Sequence, residues 1–179
     1  MLKKFSVFVL MIATLLTFFI FSAYDQGESQ ETNKDEVYYN KAGLSHFNEG
    51  FYKLRPKGMK EEALESYKLA IIEFKKAVAA NEGHVEAHLN LARVYSVQHK
   101  FPEAAKEYKR VTELAPHNID TYVKLAIVYG RMNKYSEAIE RLEKAKTFTN
   151  KAVVLNQLDN YIKKLEHVQQ RQSEETGGY

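Results

Sequence analysis

VEAHLNLARVYSVQHKFPEAAKEYKRVTELAPHN (Val85–Asn118) and IDTYVKLAIVYGRMNKYSEAIERLEKAKTFTNKA (Ile119–Ala152) are two copies of one 34-residue pattern. A shift of 34 places lays Leu91 on Leu125, Ala92 on Ala126, Val94 on Val128 and Tyr95 on Tyr129. The same shift lays Lys100, Glu103 and Ala104 on Lys134, Glu137 and Ala138, with Phe101 over Tyr135, Tyr108 over Leu142 and Val111 over Ala145. Self-similarity at this period marks stacked helical hairpins, each too small to bury its apolar face alone and therefore leaning on its neighbours. Apolar residues return at three- and four-residue intervals almost throughout the body, with no strand-like alternation, so the body is expected to be all helical.

The breaks fall where a hairpin array needs them. Gln98-His99-Lys100 and Met132-Asn133-Lys134 part the two helices inside each copy, and Ala115-Pro116-His117-Asn118 parts the copies. Pro116 cannot continue a helix because it lacks an N–H and clashes with the preceding turn. Pro102 falls in a first helical turn, where the missing donor costs nothing.

On these residues the chain resembles the tetratricopeptide repeat family. That family's first helix wants an aromatic, then Leu with a small residue, then Tyr; its second wants an aromatic just before its start, then Ala, an aromatic and Ala, with a closing Pro. The first copy supplies His88, Leu91, Ala92, Tyr95, Phe101, Ala104, Tyr108, Val111 and Pro116, departing at His88 and Val111. The second supplies Tyr122, Leu125, Ala126, Tyr129, Tyr135, Ala138, Leu142 and Ala145, with Asn150 in place of the Pro. The resemblance implies an all-α fold: a short right-handed superhelical stack of helix-turn-helix hairpins, its tyrosines filling packing sites.

It extends loosely in both directions, over 37–171. An irregular copy occupies 37–84, where Tyr39, Ala42, Gly43, Gly50 and Tyr52 fit a first helix and His46 stands where Tyr is usual. The second helix fits twice, as Ala63, Tyr67 and Ala70 or as Ala70, Phe74 and Ala77. An inserted loop around Leu54-Arg55-Pro56-Lys57-Gly58, followed by a long helix from Lys60 to Ala80, accounts for both fits. After the repeats at 85–118 and 119–152, Val153, Leu155, Leu158, Ile162, Leu165 and Val168 mark a capping helix over 153–171 whose outer face tolerates water. The segment 172–179 is expected to be a disordered tail.

Ahead of the body, residues 5–24 run without a charge and with only Ser6, Thr14, Thr17 and Ser22 as polar diluents. Spanning a bilayer takes about 20 such residues, so 1–24 is expected to be a transmembrane signal anchor. Lys3 and Lys4 precede the run and acids follow it, which puts the N-terminus in the cytoplasm and the body on the extracytoplasmic, periplasmic side of the inner membrane. A cleaved signal peptide is the rival reading, but the run is long for one and Phe21 stands where cleavage wants a small residue. Both readings export the body. The stretch 25–36 is polar, acidic and free of apolar spacing, a flexible tether.

Taking Lys3, Lys4, Lys34 and the acids Asp25, Glu28, Glu31, Asp35, Glu36, Glu174 and Glu175 out of the formal +3 leaves the body at +7. A basic surplus leans toward acidic partners or anionic headgroups, although lysine-rich helical surfaces are ordinary. The absence of cysteine excludes disulfides, thiolate metal sites and cysteine nucleophiles. His84 and His88 lie four apart, but Glu86 falls about 200° round the helix from His84 and no third ligand is evident, so no metal is expected. No serine elbow, phosphate-cradling glycine loop or basic-aromatic interleaving is present, which argues against an enzyme, a cofactor and nucleic-acid binding.

In the resembled family the first helices line the inside of a curved stack. The positions facing that hollow are Leu44, Phe47, Leu89, Arg93, Val97, Val123, Ile127 and Arg131, an apolar floor with two arginines suited to a peptide of some acidic character. Some members grip a C-terminal carboxylate with a clamp of lysines, asparagines and an arginine; Asn90 and Lys124 match it, whereas Asn40, Leu44 and Asp120 do not. The sequence therefore points to a non-catalytic adaptor, membrane-tethered and holding a protein or peptide partner. A self-associating scaffold and an accessory subunit of an envelope enzyme are the alternatives.

Overall fold

The computed structural model describes residues 35–176, so the apolar run at 5–24 lies outside the described residues. Those described form a succession of helices without a strand: α1 (35–48), α2 (Lys60–Ala80), α3 (Val85–Val97), α4 (Phe101–Leu114), α5 (Ile119–Arg131), α6 (Tyr135–Lys146) and α7 (Ala152–Thr176). Each helix packs chiefly on its sequence neighbours. That nearest-neighbour pattern defines a stack of hairpins rather than a closed bundle.

The duplicated sequence makes duplicated geometry. His99 and Asn133, 34 residues apart, both take φ 59°, and each turns the chain between the two helices of its hairpin. Lys100 N–H donates to the Tyr95 carbonyl and Lys134 N–H to the Tyr129 carbonyl, both at 2.9 Å. These bonds satisfy carbonyls that a helix end would otherwise orphan. The next hairpin is started by Asn118, whose side chain accepts from Thr121 N–H at 3.2 Å.

Small residues set the spacing. Ala92 and Ala104 in the first copy, like Ala126 and Ala138 in the second, are fully buried where helices cross. Around them two clusters form, and α5 belongs to both. Leu125 and Val128 face the cluster built from α1 to α4, while Tyr122 and Ala126 face Leu142, Leu158 and Ile162 of α6 and α7.

The first hairpin departs from the expected loop. The chain continues as a π-helix over Glu49–Leu54, where Arg55 N–H donates to the Gly50 carbonyl five residues back, and then as a 3-10 turn over Arg55–Lys57. Gly58, at φ 76°, ends it. A π turn absorbs added residues without unpairing backbone groups, which an exposed loop would leave to water. The long helix does span Lys60–Ala80, and both fits are used: Ala63, Tyr67, Ala70, Phe74 and Ala77 form one buried stripe.

At the other end α7 runs to Thr176, so residues 172–176 are helical where a disordered tail was expected. Lys146 Nζ holds Asp159 at 2.7 Å, and Gln169 donates to Ser136 Oγ at 2.8 Å, pinning α7 antiparallel along α6. The hydrogen bonds that Lys146 donates to Asp159 and Glu143 raise its pKa.

Two glycines test this packing with opposite signs. A Cβ on Gly43 would lie 2.7 Å from the Phe74 ring, whereas one on Gly130 would meet Leu165 Cδ2 at an ordinary 3.5 Å. Gly43→Ala is expected to lose about 1–3 kcal/mol, because overpacking outweighs the gain in helix propensity. Gly130→Ala is expected to gain about 0.5 kcal/mol. Thermal melts followed by circular dichroism check both.

Candidate partner-binding surface

The structure distributes the eight positions expected to line the hollow unevenly. Phe47 does not line it. At 1% exposure it is among the most deeply buried residues, stacked on Phe51 at 5.3 Å and tilted against Tyr67 at 6.0 Å. The hairpin's lengthening supplies the Phe51 ring, and α2 the Tyr67 ring, that cover it. Leu44, Leu89 and Val97 are half-buried and packed against the same cluster.

Arg93 is exposed but already engaged. Its guanidinium lies 4.8 Å from the Phe47 ring centroid, and Nη2 donates to the Tyr52 hydroxyl at 3.1 Å. The N-terminal side of the hollow is thus largely occupied by the protein's own side chains.

Farther along it is open. Ile127, 40% exposed, and Arg131 border a cleft of about 270 Å³ with Ser96, His99, Phe101, Tyr108 and Lys124. Burial pushes the Tyr108 hydroxyl pKa up, opposed by Ser96 and Arg93, so the phenol there is a neutral donor. Val123 belongs to a different cleft, of about 670 Å³, between α5 and α7. Val123, Ile127 and Arg131 follow one another a turn apart along α5, on the face where the sequence placed all three.

The residues nearest the carboxylate-clamp positions are engaged with one another. Asn90 Nδ2 donates to Asn40 Oδ1 at 3.1 Å, Asn40 reaches Glu86 at 3.5 Å, and Lys124 pairs with Asp120 on its own helix. Asn40 and Asp120 stand where that clamp would need lysines, so this arrangement does not form it.

On the far side of the stack, His88 occupies the site where the repeat pattern wants an aromatic. It is buried, with Nδ1 2.6 Å from Glu107 Oε2 on α4 and Nε2 3.1 Å from the Glu82 carbonyl. Both ring nitrogens thus have an oxygen partner, which fixes the orientation of the ring. His84 lies elsewhere, at the N-cap of α3. Among the described residues no group of three or more His, Asp or Glu is placed to hold a metal ion, and no helix is long and apolar enough to cross a membrane.

A family model described as "Tetratricopeptide repeat" matches residues 84–151, the two hairpins whose turns and alanines superpose. These hairpins are similar to tetratricopeptide repeats. The match spans less than half of the chain. No curated protein matches the chain. Among solved structures, the TPR2B domain of yeast Sti1 in its pHsp70 complex is similar at a TM-score of 0.59 and 16% identity, over 75% of this chain and 98% of that one. The first TPR of Spaghetti (RPAP3), bound to the HSP90 peptide SRMEEVD, is similar at 0.52 and 18% identity, over 72% and 94%. A thermophilic TPR protein of Thermus thermophilus is similar at 0.51 and 21% identity, over 59% and 53%. At such identities the likeness shows the fold. Tetratricopeptide repeats generally mediate protein–protein contacts and are typically non-catalytic.

Two ion pairs of these repeats differ in worth. Glu107→Ala leaves a buried imidazole nitrogen without its partner and is expected to cost about 1–3 kcal/mol. Glu113→Ala removes an exposed pair with Arg110 and is expected to cost under about 0.5 kcal/mol. Urea midpoints at unchanged slope read both.

Proposed function

We propose that the chain is a membrane-tethered docking module that holds a protein or peptide partner on the outer side of the membrane. The observation that carries the docking part is the open stretch of the hollow. There Ile127 and Arg131 are exposed beside a cleft. The two solved complexes named above, each a tetratricopeptide domain with bound peptide or protein, are compatible with it. The tether rests on the sequence: an uncharged run at 5–24 of bilayer-spanning length, flanked by lysines before and acids after.

A pull-down with the full chain tests the hollow. Arg131→Glu is expected to abolish recovery of the partner that the wild type retains; unchanged recovery removes the hollow as the binding face. The tether is tested by fractionation. The full chain is expected to stay in the membrane pellet after an alkaline carbonate wash and a chain lacking residues 1–24 to leave it.

A self-associating scaffold is the second reading, favoured by Leu64, Leu69 and Ile72, which stand exposed on α2. Light scattering at rising concentration decides it, since a constant monomer mass excludes that scaffold.

A further inference from the structure

The two ends of the stack are finished differently. At the C-terminal end α7 covers the last hairpin, whereas α1 and α2 stand first, with no helix before them among the described residues. Of the ten large apolar residues left exposed among the described residues, seven belong to this first hairpin. A stack end that met only water would carry a polar outer face instead.

α2 is apolar on two sides. One is the buried stripe of Ala63, Tyr67, Ala70, Phe74 and Ala77. Ile72, 49% exposed, lies about 180° round the helix from the centre of that stripe, and the exposed Leu64 and Leu69 fall to either side of it. A helix with apolar residues on both faces calls for a second covering surface.

This outer face adjoins the place where the chain leaves the described residues. Lys76, one turn beyond Ile72, sets its ammonium 5.4 Å from the ring centroid of Tyr39 on α1, and Val37 and Tyr38 beside it are exposed. Only ten residues, 25–34, part α1 from the uncharged run at 5–24. Fully extended, ten residues reach about 35 Å, little more than the roughly 31 Å length of α2. With the run at 5–24 in a bilayer, the start of α1 stays within that reach of the headgroups.

The charges nearby suit the same neighbour. Over 66–80, Lys68, Lys75 and Lys76 stand against Glu73 alone. Lys76 pairs with Glu73 and Lys68 with Glu65, which leaves Lys75 without a carboxylate among the described residues. Lysine stems lie along apolar surface while their ammonium groups stay wet, and anionic headgroups attract such clusters near a membrane. A second copy laid on this half of α2 would bring the same lysine surplus against itself.

We propose that the outer face of the first hairpin, Leu69 and Ile72 of α2 with Tyr38 of α1, rests on the bilayer that holds the tether, its apolar side chains at the level of the headgroups and upper acyl chains and its lysines toward anionic phosphates. The inference rests on the tether and adds which part of the domain meets the lipid. Seated by α2, the stack keeps Ile127 and Arg131 of α5 in water for a partner.

The chain has no tryptophan, so a single introduced one reports its own surroundings. Leu69→Trp, Ile72→Trp and Val153→Trp, the last at an exposed position on α7, are made in the full chain. Each is reconstituted into vesicles of equal parts phosphatidylcholine and phosphatidylglycerol, with plain or brominated acyl chains; bromine quenches tryptophan only at near contact. The bromolipid is expected to remove at least about half of the emission of Leu69→Trp and Ile72→Trp, as for side chains set about 5–10 Å into the headgroup and acyl boundary. Val153→Trp is expected to keep its emission.

A chain that fails to float with the vesicles removes the tether and this proposal together. A chain that floats while Leu69→Trp and Ile72→Trp stay bright, or while Val153→Trp is quenched as strongly, overturns the proposal and leaves the tether standing. A dimer in detergent that Leu69→Glu/Ile72→Glu dissociates overturns it too, because a second copy then covers the face.

Discussion

How near two helix backbones can come decides the rest of this structure. At Ala92, Ala104, Ala126 and Ala138 the only side chain between neighbouring helices is a methyl group, and all four are sealed from solvent. Close approach lets the larger residues nearby, Leu91 and Tyr108 or Leu125 and Leu142, reach into the groove of the adjoining helix and fill it. Because each helix leans chiefly on its sequence neighbours, cohesion passes along the stack through shared helices. α5 is the clearest case, with Leu125 and Tyr122 serving two different clusters from one helix.

The first hairpin obeys the same constraint by other means. Gly43 lets α1, and Gly50 the π turn after it, approach the Phe74 and Tyr67 rings of α2, where even a methyl would collide. The surplus residues between these helices are stored in a π turn that keeps the backbone paired. That turn also changes the surface. It brings Phe51 over Phe47 and Tyr52 to Arg93, so the end of the hollow that would otherwise begin the binding face is filled from within.

What stays open lies toward the last helix. Ile127 and Arg131 border one cleft and Val123 another, while α7 is fixed by Lys146 and by its own apolar stripe at Leu158 and Ile162. A helix that covers an exposed end serves stability, and its remaining faces are left to other uses. On α7 one of those faces carries cations that nothing in the described stack neutralises.

The helical period, the 34-residue shift, Pro116 and the two fits of α2 made the hairpins, the turns at His99 and Asn133 and the span Lys60–Ala80 readable from the chain alone. Such features depend on neighbours a few residues away, which sequence spacing records. The fate of Phe47 and the pairing of His88 with Glu107 were not readable in that way. Each depends on residues that only a π turn or a helix crossing brings together. Periodicity fixes which side of a helix is apolar; only the packed stack decides whether another part of the chain already covers it.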